Sequence, residues 1–163
     1  MIYSLDKRRC DILTISSKRK IRKAREPAIE NLFPNAAEKR PRKFSMAKKI
    51  VFISARVHPG ETPAAHVMNG ILYFLMSDDP RAIYLRDMFV FKLVPMVNPD
   101  GVARGNFRTD QNGVNLNRVY NNPIQWEHPT VFAIKKLFLH YNRLGRDYIH
   151  TYLDLHGHTS KKG

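Results

Sequence analysis

Two short segments of the 163-residue chain carry residue types that together bind catalytic metal ions. His58 and Glu61 stand three residues apart, directly after the apolar run Ile50–Ile53. His156 directly follows a second run, Tyr152–Leu155. Two imidazoles and one carboxylate are a protein ligand set of catalytic zinc, which keeps a fourth position open for water. The spacing therefore predicts a site for one Zn²⁺ ion and favours a hydrolase.

Local features near these ligands leave alternatives open. The turn formed by Pro59 and Gly60 can point His58 and Glu61 at one ion. His158 has the same strand parity as His156 and is a competing ligand, whereas Asp154 could orient an imidazole from the same face or have an ordinary polar role. A His-x-x-Glu spacing by itself is also compatible with a purely structural role.

A polar loop between residues 105 and 122 offers groups that could act beside such an ion. Arg108 could hold an oxyanion that develops near zinc. Asn117 and Arg118 could grip a carboxylate, since an arginine fork binds carboxylates in a bidentate manner. The alternative for all three is ordinary hydrogen bonding within the loop.

The elements that must position these residues alternate between strand and helix, which predicts an α/β fold with helices on both faces of the sheet. Ligands of such sheets bind beyond the carboxyl ends of the strands. Thr62 and Pro63 indicate a helix capped by Thr62, and residues 98–101 indicate a turn. Strands are predicted at 10–15, 49–54, 89–94 and 149–155, with helices beginning near residues 62, 79 and 128.

The charge of the chain is strongly positive and unevenly distributed. The net charge is +14, and residues 1–49 hold 15 of the 28 Lys and Arg residues but 5 of the 14 acidic ones. Such a segment attracts polyanions, although a solvated surface loop is the alternative. Its first basic run, residues 18–25, has no interleaved aromatic residues and the chain has no nucleic-acid-binding motif, so we expect no specific nucleic acid partner.

Cysteine usage and hydropathy bound the cellular setting. Cys10 is the single cysteine, so the chain can form no internal disulfide and a reducing compartment is expected. The start of the sequence lacks the basic-then-apolar order of a secretory leader. The longest apolar stretch, residues 88–97, is too short to cross a bilayer, so we expect no membrane partner.

Five motifs in one order carry a family resemblance. The motifs are His58-Pro59-Gly60-Glu61-Thr62-Pro63, Asn98-Pro99-Asp100-Gly101-Val102, Gly105-Asn106-Phe107-Arg108, Gly113-Val114-Asn115-Leu116-Asn117-Arg118 and Asp154-Leu155-His156-Gly157-His158. With these motifs the chain resembles the cytosolic carboxypeptidases, a branch of the zinc metallocarboxypeptidases. The resemblance is diffuse over residues 1–48 and specific from about residue 50.

The resemblance implies a role for each matching position. Zinc would be bound by His58, Glu61 and His156. Arg108 would polarise the scissile carbonyl and hold its oxyanion, while Asn117 and Arg118 would bind the free C-terminal carboxylate of the substrate. It also implies a partial metallocarboxypeptidase-like mixed sheet, and deglutamylation of acidic protein tails such as those of tubulin. The implied location is the cytoplasm, with the cytoskeleton and the nucleus as further expectations.

Two departures from the family pattern shape the expectation for these residues. Asn115 stands where other branches carry aspartate, and the general-base glutamate of the family lies well downstream of the third zinc ligand. We therefore expect residues 1–48 to form a basic strand and surface connection, and residues 49–163 to form an incomplete catalytic domain. The 163 residues alone should bind zinc weakly and turn over little or no substrate.

Two other function classes remain open at the level of sequence. A non-catalytic module could hold acidic tails with Arg108, Arg118 and the basic segment, without a metal. A related zinc acylase that cleaves acyl amino acids would use the same His-x-x-Glu and later histidine. The Asn117-Arg118 pair and the context of Arg108 favour the carboxypeptidase over the acylase.

Overall fold

The structure of the chain is a computed structural model that describes residues 1–34, 40–145 and 147–158. Within these ranges the chain forms eight strands, four α-helices and one 3₁₀ helix, Leu116–Arg118. The strands are β1 Ile2–Tyr3, β2 Arg9–Cys10, β3 Leu13–Ile15, β4 Ile21–Arg25, β5 Arg42–Phe44, β6 Lys49–Ala55, β7 Phe89–Val94 and β8 Ile149–Leu155. The helices are α1 Thr62–Met76, α2 Pro80–Met88, α3 Pro99–Arg104 and α4 Pro129–Leu144.

A four-stranded mixed sheet in the order β3-β7-β6-β8 is the centre of the fold. Strand β6 is parallel to β7 on one side and to β8 on the other, while β3 joins β7 in antiparallel orientation. Parallel strands need crossover connections, which here contain helices. The predicted α/β architecture with a mixed sheet is confirmed.

The side chains of β6 alternate between two apolar layers. Ile50 and Phe52 belong to the cluster that includes buried residues of α4, such as Ile134. Ile53 packs in the other cluster, with Met68 of α1. Because successive strand residues point to opposite faces, each face of the sheet is covered by a helix, and the interior strand is nearly all apolar, as parallel sheets require.

The register of the parallel strands brings the two ligand segments together. Ser54 of β6 pairs with Asp154 of β8, and Ala55 pairs with Leu155. The chain then leaves β6 toward His58 and leaves β8 toward His156, at the same edge of the sheet. The residues that follow these two strands are therefore neighbours, although they are far apart in sequence.

Two local predictions were wrong. The residue that caps α1 is Glu61 rather than Thr62, and the Glu61 side chain makes no capping hydrogen bond, because it contacts His58 and Gly157 instead. Residues 98–101 do not form an isolated turn but begin α3, where the Asn98 side chain accepts a hydrogen bond from the Gly101 amide.

The first 48 residues contain more regular structure than a surface connection. Strand β3 is an edge of the main sheet, and β4 pairs with β5 in a separate two-stranded sheet. All five residues of β4 are exposed, and three of them are cationic. The boundary after residue 48 stays a prediction. None of the helices within the described ranges is long and apolar enough to span a bilayer.

Candidate metal centre

His58, Glu61 and His156 converge at the carboxyl ends of β6 and β8. One potential ligand atom from each lies within 4.8 Å of the other two. His58 is 2% exposed, whereas His156 is exposed and Glu61 is partly buried between them. The two imidazole rings are tilted, with centroids 5.0 Å apart. The structure thus brings the three predicted zinc ligands together in one cluster.

The hydrogen bonds of the two imidazoles leave equivalent nitrogens facing Glu61. His58 Nε2 lies 3.0 Å from Asn115 Oδ1, which also accepts from the Asn117 amide at 3.1 Å and is thereby identified as the oxygen. His156 Nε2 lies 3.0 Å from Asp154 Oδ2. A carboxylate or amide oxygen can only accept, so each Nε2 carries hydrogen and a neutral ring has its lone pair on Nδ1.

The two Nδ1 atoms face the two oxygens of one carboxylate. His58 Nδ1 lies 2.7 Å from Glu61 Oε1, and His156 Nδ1 lies 3.0 Å from Glu61 Oε2. With neutral imidazoles this arrangement sets lone pairs against lone pairs, which a cation bound by all three groups would reconcile. Nitrogen and carboxylate oxygen from three residues suit Zn²⁺, so the donor set fits the ion that the sequence predicts.

Glu61 is held in its charged form by its surroundings. Burial raises the pKa of its carboxyl, but the hydrogen bond from the Gly157 amide lowers it, as do His58 and His156 when their rings are protonated, and the pKa lies below its ordinary value. The Gly157 amide donates to Oε2 at 2.9 Å. A carboxylate that stays ionised in a partly buried position is a competent ligand for a cation.

A cavity of about 430 Å³ opens in front of the three residues. Arg108 reaches it from the polar loop with a half-exposed side chain, and its Nη1 lies 3.8 Å from Glu61 Oε1. Asn117 also lines the cavity. The remaining lining residues are His58, Gly60, Glu61, Pro63, Phe107, His156, Gly157 and His158. The cavity therefore combines the candidate metal ligands with a guanidinium and an amide.

Arg118 is placed differently from the other predicted site residues. It is exposed, does not line the cavity, and donates from Nη1 to the carbonyl of Asn117 at 3.3 Å. Arg118 follows the cavity-lining Asn117 in sequence but does not itself reach the cavity. Its role in binding a carboxylate therefore stays a prediction. The same holds for the roles of Arg108 and Asn117.

The loop that carries Arg108 is fixed to the metal segment by a close backbone contact. The Gly60 amide donates to the Phe107 carbonyl at 2.8 Å. A Cβ at Gly60 would come within 2.7 Å of that oxygen, so any side chain there would push the loop away. The Pro59-Gly60 turn thus sets the position of Arg108 as well as the spacing of His58 and Glu61.

Two acidic residues of the loop region lie away from the candidate metal centre. Asp110 is 4% exposed, and its Oδ1 accepts from the amides of Asn112 and Val114. Glu127 lines a different, very small cavity beside His128. Neither carboxylate lines the cavity of the metal centre.

Sequence patterns alone missed two partners of the cluster. Asn115 stands in one of the motifs, but the motif does not predict its contact with His58 Nε2. Ser54 ends a strand that the sequence predicts as nearly all apolar, yet its hydroxyl lies 2.6 Å from Asp154 Oδ1. A polar residue at a buried strand position was the signal, because such a residue requires a hydrogen-bond partner.

Comparison with protein families shows a match over almost the whole chain. The family described as zinc carboxypeptidase (Peptidase_M14) matches residues 2–160. Cytosolic carboxypeptidase-like protein 5 from Bos taurus is 53% identical over 143 residues, covering 87% of this chain and 16% of the relative. Cytosolic carboxypeptidase 6 from Caenorhabditis elegans is 38% identical over 161 residues, covering 99% of this chain and 30% of the relative.

Solved structures show the same relationship. A metallo-carboxypeptidase from Burkholderia cenocepacia aligns with a TM-score of 0.70 and 30% identity, over 96% of this chain and 35% of that chain. A putative carboxypeptidase A from Shewanella denitrificans aligns with a TM-score of 0.70 and 28% identity, over 96% and 34%. The present chain therefore spans a minor part of the length of the proteins it matches.

Proposed function

The chain belongs to the zinc carboxypeptidase family, and from this membership we propose that it forms part of the catalytic domain of a protein deglutamylase. The proposed substrates are acidic protein tails, such as those of tubulin, from which C-terminal or side-chain glutamates are removed. The observation that carries the proposal is the convergence of His58, Glu61 and His156 on one cavity with Arg108 and Asn117.

Each of the six candidate site residues has a defined part in the proposed reaction. His58, Glu61 and His156 would hold Zn²⁺, which supplies Lewis acidity toward a carbonyl oxygen when bound. Arg108 would donate hydrogen bonds to the same oxygen as its charge develops. Asn117 and Arg118 would bind the free carboxylate of the terminal residue, which restricts the reaction to chain ends.

The charge of the chain supports an acidic substrate. The net charge is +14, and β4 presents exposed cations on the protein surface. Opposite charge accelerates encounter and disfavours basic competitors. The proposed location is the cytoplasm, where glutamylated tubulin tails would be accessible, with the cytoskeleton and the nucleus as further proposed locations.

Binding of a peptide by the zinc-loaded chain tests the proposed substrate class. We expect a peptide that ends in two glutamates with a free carboxylate to bind more tightly than the same peptide with a C-terminal amide. Arg118→Ala should remove this preference. Arg81→Ala, an exposed arginine of α2 with an 81% exposed side chain, is the matched control and should leave it intact. Equal binding of acid and amide would contradict the proposal.

Turnover is tested in a longer protein that contains these residues. We expect zinc-dependent release of glutamate from a glutamylated peptide, with loss of release in His58→Ala. Release that persists in His58→Ala would contradict the proposal.

A second candidate function is a module that binds acidic tails without cleaving them. The exposed cations of β4, which contact neither the cavity nor its ligands, favour it. Peptide binding that survives both His58→Ala and zinc removal would support this module. Loss of binding in both experiments would exclude it.

A further inference from the structure

The buried hydroxyl of Ser54 links the end of β6 to the metal centre. Ser54 is 0% exposed, and its Oγ lies 2.6 Å from Asp154 Oδ1 on the neighbouring strand. The second oxygen of the same carboxylate, Oδ2, lies 3.0 Å from His156 Nε2. One carboxylate therefore joins a core hydroxyl to the third candidate ligand.

The phenol of Tyr152, a residue that is 38% exposed, extends this link along β8. Its hydroxyl lies 2.9 Å from Ser54 Oγ. The Tyr152 ring packs edge-on against Phe52 at 5.9 Å and against Phe138 of α4 at 4.9 Å between centroids. Aromatic pairs of this kind favour particular ring orientations. The contacts therefore help to keep the Tyr152 hydroxyl beside Ser54 Oγ.

The donor and the acceptor can be assigned for each hydrogen bond that links Tyr152, Ser54, Asp154 and His156. Asp154 is a carboxylate and only accepts, so the Ser54 hydroxyl donates to Oδ1. A hydroxyl has one hydrogen, so Tyr152 must donate to Ser54 Oγ. The three donors, Tyr152 O–H, Ser54 O–H and His156 Nε2–H, thus all point toward Asp154, and aligned hydrogen bonds of this kind strengthen one another.

From this geometry we infer that Ser54 and Tyr152 are positioning residues for His156. They hold the Asp154 carboxylate in one orientation, and Asp154 in turn fixes the His156 ring with Nδ1 toward Glu61. His58 is oriented differently, by the neutral amide of Asn115. The exposed ligand of the centre is therefore held through Asp154 by a relay of two further hydroxyl groups, whereas the buried ligand is held by one amide and by its burial.

The need for such a relay follows from the exposure of the ligand. The His156 side chain is 31% exposed and the His58 side chain is 3% exposed. Burial alone does not fix an imidazole that is 31% exposed, so hydrogen bonds to the ring help to determine its orientation. Groups that orient metal ligands from outside the coordination sphere typically change metal affinity about 10–100-fold when they are removed.

The test is the zinc affinity of two variants of the 163-residue chain, Ser54→Ala and Tyr152→Phe, measured by competition with a chromogenic chelator. We expect about a tenfold weaker affinity for Ser54→Ala, at the lower end of the range for such groups, and a smaller loss for Tyr152→Phe. The visible absorption of the Co²⁺-loaded protein should change in both variants, because a reoriented imidazole alters the ligand geometry.

Ser4 provides a matched control. Its hydroxyl is also buried and also donates to a carboxylate oxygen at 2.6 Å, Asp100 Oδ1, which is not a partner of any ligand of the centre. Ser4→Ala should lower stability much as Ser54→Ala does, while zinc affinity stays unchanged. Equal losses of zinc affinity in Ser4→Ala and Ser54→Ala would show a general loosening of the fold and would overturn the inference.

A double-variant cycle separates the relay from a merely structural effect. If Ser54 acts through Asp154, then Ser54→Ala should cause no further loss of zinc affinity in an Asp154→Asn background. Additive losses would contradict the relay. If Ser54→Ala does not fold, Tyr152→Phe is the deciding variant. Zinc affinity and Co²⁺ absorption equal to those of the unmodified chain in Tyr152→Phe would contradict the inference.

The inference rests on the metal centre of the proposed function but can fail separately from it. If the unmodified chain shows no zinc binding that depends on His58, the proposed function and this inference both fail. If the unmodified chain binds zinc and Ser54→Ala binds it equally well, the inference alone fails.

Discussion

Two clusters in this molecule each place a glutamate among hydrogen-bonding partners, and they differ in whether a cation is built in. On the α4 side of the sheet, Glu26 Oε1 lies 2.5 Å from the Lys92 ammonium. Thr14 and Tyr141 complete that cluster, with the Thr14 hydroxyl 3.0 Å from Lys92 Nζ and the Tyr141 hydroxyl 3.3 Å from Glu26 Oε2.

At the carboxyl ends of the strands, Glu61 has two imidazoles instead of an ammonium. Arg108 is the nearest permanent cation among the ion pairs of the described residues, and its Nη1 stays 3.8 Å away. A partly buried glutamate can thus be balanced by a side chain of the protein or left open to a bound ion. The Lys92 cluster contains its own cation and contributes to the fold, whereas the Glu61 cluster would be completed by the proposed zinc ion.

Removing a histidine from the Glu61 cluster should change zinc affinity more than any other substitution proposed here. His58→Ala and His156→Ala should each weaken zinc binding by more than about 100-fold, since a lost ligand costs more than a lost partner of a ligand. Chelator competition measures this effect. His66→Ala, an exposed histidine of α1 outside the cluster, is the control and should bind zinc like the unmodified chain.

Removing the ammonium of Lys92 should lower the stability of the fold. Lys92→Met should lower the free energy of unfolding by about 3 kcal/mol, because it leaves Glu26 without its cation in a mostly buried position. Urea denaturation measures the loss. Zinc affinity of the folded variant should stay unchanged, and a parallel loss of zinc affinity would contradict the separation of the two clusters.

The pH dependence of stability also tests the role of the Lys92 cluster in the fold. Burial lowers the pKa of Lys92 from its ordinary value of 10.5, although Glu26 opposes the shift. Between the folded pKa and 10.5 the unfolded chain binds more protons, so the stability of the unmodified chain should rise with pH in that window. The gain relative to Lys92→Met should be at most about 1.4 kcal/mol per pH unit. A stability difference that stays flat or falls there would contradict it.

A negative charge added beside His58 should change zinc affinity less than the loss of a histidine does. Asn115→Asp would place a carboxylate on His58 Nε2, as Asp154 already does for His156. The added negative charge and the more basic ring should raise zinc affinity by about tenfold or less. Isothermal titration measures the change. A lower affinity would show that the neutral amide is required at this position.

Much of the architecture could be predicted from the sequence because its signals are local. The apolar run of β6 and the Pro80 start of α2 lie within a residue of their predicted positions. The cap of α1 could not be predicted from Thr62, since Glu61 takes the cap position while its side chain serves the site. Residues 98–101 follow a turn pattern, but the Asn98 cap continues them into α3.

The limits for the candidate site are different in kind. The sequence placed Asp154 and His156 on one face by strand parity, and the structure agrees. It could not place Ser54 opposite Asp154, because the pairing register of two strands about a hundred residues apart is set by tertiary packing. The distance of Arg118 from the cavity likewise depends on the 3₁₀ turn that carries it.

The convergence of the two ligand segments also has a consequence for the mechanical integrity of the molecule. A metal ion held by Glu61 and His156 would cross-link positions 95 residues apart in sequence. With a single cysteine, the chain has no disulfide to perform this task. An ion bound to the folded state alone stabilises it by mass action, so zinc would tie the edge strand β8 to β6 and delay its detachment when the protein begins to unfold.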